Sequence, residues 1–170
     1  PSLIASENAL VYSYVMYLIG KYNFGMDTIS LRKAISKWFY MVSVSSYYTG
    51  SYETDTQSDL NVVIGLHTAE EFQAFLTAKI SAVFTQDFFR ITLPEALATS
   101  AAISPAWNAF CAAQNILGTK VLFSTTPIRN LFSPGASGTR SAIEKHHLFP
   151  KEYLPLIGIV DDKLRNQIAN

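Results

Sequence analysis

The sequence predicts a mainly α-helical fold of five or six helices, followed by one short strand near the C-terminal end. Apolar residues recur every three to four positions through the first 117 residues, which is the period of an amphipathic helix. Capping residues precede several of these segments, and glycines follow them. The chain has 170 residues, of which 49% are hydrophobic, and this is enough for a well-buried core.

Two helices are predicted in the first 46 residues. The first follows Ser6, a plausible N-cap, and its apolar residues recur until Gly20. The second covers about residues 28–46. Trp38 and Phe39 lie on its apolar face, so we expect both side chains in the core.

A polar, tyrosine-rich loop is predicted at residues 47–55. It is either a solvated connection or a loop whose tyrosine and serine hydroxyls contact a phosphate or a base. A short helix is expected at residues 55–65. Thr68 and Glu71 have the spacing of a capping box, which predicts that another helix begins there. His67 precedes this helix with no second metal ligand nearby in the sequence, so we expect a structural role for it.

The next helix boundaries depend on prolines. Residues 86–103 are ambiguous, with Pro94 as the expected start of a helix. The pair Ser104-Pro105 predicts a clearer start, because serine caps helices and proline suits the first turn. That helix is expected to end at Gly118, and residues 121–123 fit either a short strand or a final helical turn.

The last third of the chain contains the predicted strand. Prolines and glycines in residues 126–138 predict a loop without a regular element. The strand is expected at residues 142–148, and Asp161 is expected to cap a short helix at residues 163–168.

Charge and cysteine content restrict the class of protein. The net charge is zero, which argues against a strongly nucleic-acid-binding surface overall. Residues 118–170, however, carry seven Lys and Arg against four Asp and Glu. The one cysteine, Cys111, excludes an internal disulfide and indicates a cytoplasmic protein, and we expect its thiol to be buried and inert. The most apolar run, residues 10–19, is shorter than the roughly 20 residues that span a bilayer.

The candidate active site is the segment around His146 and His147. Two of the three histidines are adjacent there, between a Gly/Ser-rich loop and Pro150. A metal ion can polarise a phosphate, and a neutral imidazole, with an ordinary pKa of about 6.5, can take a proton from water. The pattern therefore indicates phosphate-ester hydrolysis, and a surface loop with two chance histidines is the alternative.

The run His146-His147-Leu148-Phe149-Pro150, followed some twenty residues later by an asparagine, resembles the ββα-metal motif of HNH nucleases. Together with residues 37–39 and 48–53, it resembles more narrowly the C-terminal nuclease half of GmrSD-like restriction endonucleases, which are modification-dependent anti-phage enzymes. The resemblance implies a helical domain, residues 1–138, followed by a partial HNH-like motif, residues 139–170. It also implies a DNA substrate, a divalent metal ion such as Mg²⁺ or Mn²⁺, and a ParB-like nucleotide-hydrolysing domain that precedes this segment in a longer protein.

The resemblance assigns a role to each residue of the motif. His146 corresponds to the metal ligand and His147 to the general base. The middle asparagine of the family corresponds best to Asn170, with Asn166 as a weaker candidate. The rest of the second strand and the helix with the final metal ligand have no counterpart in the sequence, which would leave the metal site incomplete and this fragment inactive.

Three basic residues close to the histidine pair are the expected phosphate contacts: Arg140, Lys145 and Lys151. The main alternative to a nuclease is a catalytically silent helical module that binds nucleic acid or another protein. A structural zinc site is disfavoured, because the sequence has no cysteine or further histidine near the pair.

Overall fold

The computed structural model describes residues 6–48, 50–101, 104–131 and 148–167. Helices account for most of these residues, and none of them belongs to a β-strand, which confirms the mainly α class. The chain divides into two compact units, Pro1–Pro94 and Glu95–Asn170. The predicted boundary between residues 138 and 139 lies outside the described residues and stays a prediction.

Four long helices build the first unit: α1 (Glu7–Tyr22), α2 (Thr28–Val44), α3 (Tyr52–Ile64) and α4 (Ala69–Val83). Helix α2 packs against both α1 and α4. Buried side chains of this unit form one hydrophobic cluster, whose largest members are Trp38, Tyr48, Phe72, Met16, Leu31 and Met41. The prediction that Trp38 lies in the core is confirmed, whereas Phe39 is only partly buried.

Side chains just before α1 and α4 determine where these helices begin. The Ser6 hydroxyl oxygen accepts a hydrogen bond from the backbone N–H of Ala9 at 3.3 Å. Thr68 and Glu71 form the predicted capping box, in which each side chain accepts from the backbone N–H of the other. The backbone N–H of His67 also donates to the Glu71 carboxylate at 2.7 Å, and these bonds lower the pKa of that carboxyl group. Both predicted helix starts are confirmed.

A glycine in α1 allows three helices to approach closely. A Cβ atom at Gly20 would lie 2.5 Å from Cδ1 of Leu31 in α2 and 3.0 Å from Cε1 of Phe72 in α4. Both partner side chains are fully buried. Any larger residue at position 20 would therefore have to displace packed side chains.

The loop after α2 is shorter and more buried than predicted. Helix α3 begins at Tyr52 rather than near Asp55. Its first turn carries Glu53 and Asp55, whose negative charges interact favourably with the positive end of the helix macrodipole. The Tyr48 side chain is buried, so the expectation of a fully solvated loop was wrong.

The ambiguous region after α4 is helical. A π-helical turn, Phe88–Thr92, continues directly into α5, Leu93–Leu97. Pro94 therefore lies in the first turn of α5, as expected, and the wider π turn is compatible with a proline that has no backbone N–H to donate.

The second unit contains α6, Pro105–Ile116, which begins as predicted. The Ser104 hydroxyl oxygen accepts from the backbone N–H of Trp107 at 3.1 Å. A turn follows at residues 121–123, which form neither a strand nor a helix. The predicted irregular loop at 126–138 was partly wrong, because a 3₁₀-helix, Ile128–Leu131, forms there; its backbone is supported by a hydrogen bond from the Ile128 N–H to the Thr119 carbonyl at 2.8 Å.

The C-terminal elements are short. A 3₁₀-helix, Leu154–Ile157, precedes α7, Asp162–Arg165. The Asp161 carboxylate accepts from the backbone N–H of Lys163 at 2.7 Å, which confirms Asp161 as the cap. Most of the strand predicted at 142–148 lies outside the described residues, and Leu148 itself lies in a bend.

Two further expectations concern membranes and the cysteine. Within the described ranges, no helix combines the length and apolar character needed to cross a membrane. Cys111 in α6 is partly exposed, so the expectation of a buried thiol was wrong.

Candidate functional site

Most of the predicted catalytic residues lie outside the described part of the chain. This applies to His146, His147 and Asn170, and also to the two expected phosphate contacts Arg140 and Lys145. Their assigned roles as metal ligand, general base, motif asparagine and phosphate contacts stay predictions. The structure describes the remaining candidates, Lys151 and Asn166.

Lys151 and Asn166 contact each other across fifteen positions of the sequence. The Lys151 ammonium donates to Oδ1 of Asn166 at 2.5 Å. Nδ2 of the same amide donates to the Asp162 carbonyl at 2.7 Å, so both ends of the amide are held. Because the asparagine follows α7 directly, this contact connects the segment after Pro150 to the end of that helix.

The environment of Lys151 suits a ligand contact. The side chain is exposed, and an ammonium has three donors, of which Asn166 takes one. The Asp162 carboxylate pairs with Arg165 instead. Lys151 can therefore donate further hydrogen bonds to an anion without losing the described contact.

The described residues do not by themselves form a metal site. No group of three His, Cys, Asp or Glu side chains among them could hold a metal ion. The carboxylates nearest to Asn166 in sequence have other partners, since Asp161 caps α7 and Asp162 pairs with Arg165. A metal site in this unit would therefore have to draw on residues outside the described part, where the candidate ligand His146 lies.

A second arrangement of ionisable groups, which we did not predict, lies in the first unit. Asp59 of α3 is fully buried, and its Oδ1 lies 2.7 Å from the ammonium of Lys79 in α4. The Tyr48 hydroxyl donates to the other carboxylate oxygen at 3.0 Å. The same ammonium also donates to the Tyr47 hydroxyl at 3.3 Å.

Burial and charge shift the pKa values in this network. Burial, followed by the negative charge of Asp59, raises the pKa of the Tyr47 and Tyr48 hydroxyls. Burial by itself would lower the pKa of Lys79, but hydrogen bonds to Asp59 and Tyr47 outweigh it and raise that pKa. The Lys79 ammonium also lies 5.9 Å from the ring centre of Phe75. The raised pKa values therefore keep Lys79 charged and both tyrosine hydroxyls neutral at neutral pH.

The network serves packing rather than catalysis. Asp59 has no exposed surface, and the hydroxyls of Tyr47 and Tyr48 already have partners. The suggestion that tyrosine hydroxyls of this loop contact a phosphate or a base is therefore not supported for these two residues. One signal could have revealed the network, because Asp59 lies at helical spacing between Thr56 and Val63 on the buried face of α3.

Comparison with protein-family models, curated proteins and solved structures found no significant match. The assignment of function therefore depends on the residues of this chain and on their contacts.

Proposed function

We propose that this chain is part of a metal-dependent DNA endonuclease with an HNH-like active site. The proposed enzyme hydrolyses phosphodiester bonds within a modification-dependent anti-phage restriction system. A ParB-like nucleotide-hydrolysing domain would precede the present segment in the same longer protein. The observation that carries the proposal is the run His146-His147-Leu148-Phe149-Pro150, which directly precedes the exposed Lys151.

The geometry of Lys151 supports this proposal. Its ammonium is the first charged group after the histidine run, and it is exposed to solvent. The contact with Asn166 joins the segment just after the run to the weaker candidate for the motif asparagine, and the stronger candidate, Asn170, follows four positions later in the sequence. A lysine that follows the histidines in sequence would provide donors for the oxygens of a bound phosphate.

Each proposed residue has one chemical task. His147 takes the proton of the attacking water while that water bonds to phosphorus; the P–O bond to the leaving nucleotide breaks with its electron pair on the leaving oxygen, which then takes a proton from solvent. His146 would hold the divalent cation, which would polarise the phosphate, and Lys151 binds a phosphate oxygen. Asn170, or Asn166 in its place, orients the base or its loop.

Nicking of supercoiled plasmid DNA by the full-length protein tests the proposal. We expect nicking with Mg²⁺ or Mn²⁺, none with a chelator, and loss of nicking in His147→Ala. His67→Ala is the matched control, because this third histidine is exposed and uses only its backbone N–H in the capping of α4. Equal nicking by both variants would reject His147 as the base.

The same experiment separates the nuclease from the alternative module. A catalytically silent binding domain would retain DNA affinity without nicking under any metal condition. DNA binding without cleavage by the full-length protein would therefore contradict the proposed enzyme and favour the silent module.

A further inference from the structure

Helix α2 has an unusual charge composition for the unit in which it lies. It carries Arg32, Lys33 and Lys37 and no acidic residue. The rest of residues 1–94 has three Lys and Arg (Lys21, Lys79 and Arg90) against eight Asp and Glu. Half of the cations of this unit therefore lie on one helix, whose nearest acid in sequence, Asp27, is occupied as its N-cap.

Lys33 and Lys37 lie on the same face of α2, four residues apart. Like charges at this spacing repel each other and destabilise an isolated helix by a few tenths of a kcal/mol. Both side chains are exposed, and neither has an ion pair or a hydrogen bond within the described part of the chain. No carboxylate among the described residues pairs with either lysine to offset the repulsion, whereas a bound anion would.

The two lysines line a groove of about 390 Å³ between α2 and α4. Its polar walls are formed by Ser30, Lys33 and Lys37 from α2 and by Gln73, Thr77 and Ser81 from α4. The side-chain amide of Gln73 donates to the Thr77 hydroxyl oxygen at 3.2 Å, and that hydroxyl donates to the Gln73 carbonyl at 2.8 Å. An amide nitrogen has two N–H groups, so Gln73 can donate a second hydrogen bond into the groove.

We infer that this α2–α4 groove binds the phosphodiester backbone of DNA. The inference rests on the proposed function only in taking DNA as the ligand. Lys33 and Lys37 are separated by about 6 Å along the helix axis, since each residue rises about 1.5 Å. Their ammoniums neutralise backbone phosphates, and the free N–H of the Gln73 amide and the Ser81 hydroxyl donate to the phosphate oxygens.

Phosphate fits the groove better than carboxylate does. Planar carboxylates are bound most specifically by the two-pronged guanidinium of arginine, and no arginine lines this groove. Lysine is a compact point charge that binds phosphate without a planar geometry. An acidic peptide is therefore the ligand that the test has to exclude.

The salt dependence of DNA binding tests the inference on the whole chain. Binding of a short labelled duplex is measured by fluorescence anisotropy, with a chelator present so that cleavage plays no part. The groove variant is the double substitution Lys33→Gln, Lys37→Gln. The control variant is the double substitution Lys21→Gln, Arg32→Gln, which removes the same charge from exposed positions outside the groove. We expect the groove variant to lower the slope of log K against log salt by about two units. An equal change in the control variant would overturn the groove as the site.

Charge insertion gives an independent test. Ser81→Glu places a carboxylate in the groove, and Ala82→Glu places one at the next position of α4, outside the groove lining. We expect duplex binding to weaken at least ten-fold more in Ser81→Glu than in Ala82→Glu. Equal weakening, or competition by poly-glutamate as effective as competition by unlabelled duplex, would overturn the inference.

The outcomes also separate this site from the nuclease. Loss of nicking in His147→Ala with an unchanged groove effect leaves both proposals in place. A full-length protein that nicks DNA but shows no groove effect overturns the groove alone. A full-length protein that binds no DNA overturns both.

Discussion

Replacing Lys79 by methionine is expected to destabilise the first unit by about 3 kcal/mol, because it leaves the buried Asp59 carboxylate without its cation. Methionine keeps an unbranched apolar side chain of similar length but removes the ammonium and its contacts with Asp59, Tyr47 and the Phe75 ring. Removing one partner of a buried ion pair typically costs about 3–5 kcal/mol. We take the lower end, because 32% of the Lys79 side chain is exposed and the Tyr48 hydroxyl still donates to Asp59.

Proton uptake by the orphaned carboxylate limits one part of this cost. An unpaired carboxylate can take up a proton, which at pH 7 costs about 4 kcal/mol for an ordinary aspartate with a pKa of about 3.9. Protonation therefore limits the part of the penalty that comes from the unpaired charge, and that part should shrink as the pH falls towards 4. The pH dependence therefore distinguishes a lost ion pair from a simple packing defect.

Urea unfolding followed by circular dichroism measures the effect. Lys33→Met is the matched control, because Lys33 is exposed and has no ion pair among the described residues, and it should change the unfolding free energy by less than about 0.5 kcal/mol. The double variant Asp59→Leu, Lys79→Met should be more stable than Lys79→Met, because it removes the orphaned charge. A Lys79→Met penalty below about 1 kcal/mol, or one that is the same at pH 4 and pH 7, would refute the reasoning.

Two further predictions concern alkaline stability and close packing. Burial raises the pKa of Tyr48, so the folded protein keeps the hydroxyl proton above pH 10, whereas the unfolded chain releases it. The free energy of unfolding therefore falls above pH 10, and this one group contributes about 1.4 kcal/mol per pH unit to the fall. Tyr48→Phe should make that decline shallower by this amount, and an unchanged slope between pH 10 and 11.5 in urea titrations would count against the raised pKa. Gly20→Ala should destabilise the unit by about 1 kcal/mol, because crowding against Leu31 and Phe72 outweighs the helix propensity of alanine. Gly50→Ala is the control, because a Cβ added there meets nothing within 4 Å, and its urea midpoint should equal that of the wild type. A Gly20→Ala variant with the wild-type midpoint would contradict the packing argument.

Local signals predicted the helices well because each depends on a few neighbouring residues. Ser6, Thr68, Ser104 and Asp161 begin helices through hydrogen bonds that span two or three positions, and the sequence shows such spacings directly. The start of α3 was predicted too late, because its cap Ser51 makes no side-chain hydrogen bond and the polar first turn resembles a loop.

Interactions between distant residues were not predictable in the same way. Asp59 and Lys79 are twenty positions apart, and their pairing depends on how α3 and α4 pack. The groove beside Lys33 and Lys37 likewise exists only because the polar face of α4 lies opposite α2. Of the candidate nuclease site, the sequence indicated Lys151 and Asn166 as separate residues, and their contact became apparent only in the structure.

The central claim is that His146 and His147 form a nuclease site with unequal roles. Calorimetric titration with Mn²⁺, paired with plasmid nicking at saturating Mn²⁺, tests it on the full-length protein. His146→Ala should weaken metal affinity, whereas His147→Ala should bind the metal nearly as well as the wild type and still lose about 10²–10⁴-fold in rate, the usual contribution of a general base. Equal loss of metal affinity in the two variants, or full nicking by His147→Ala, would contradict the account.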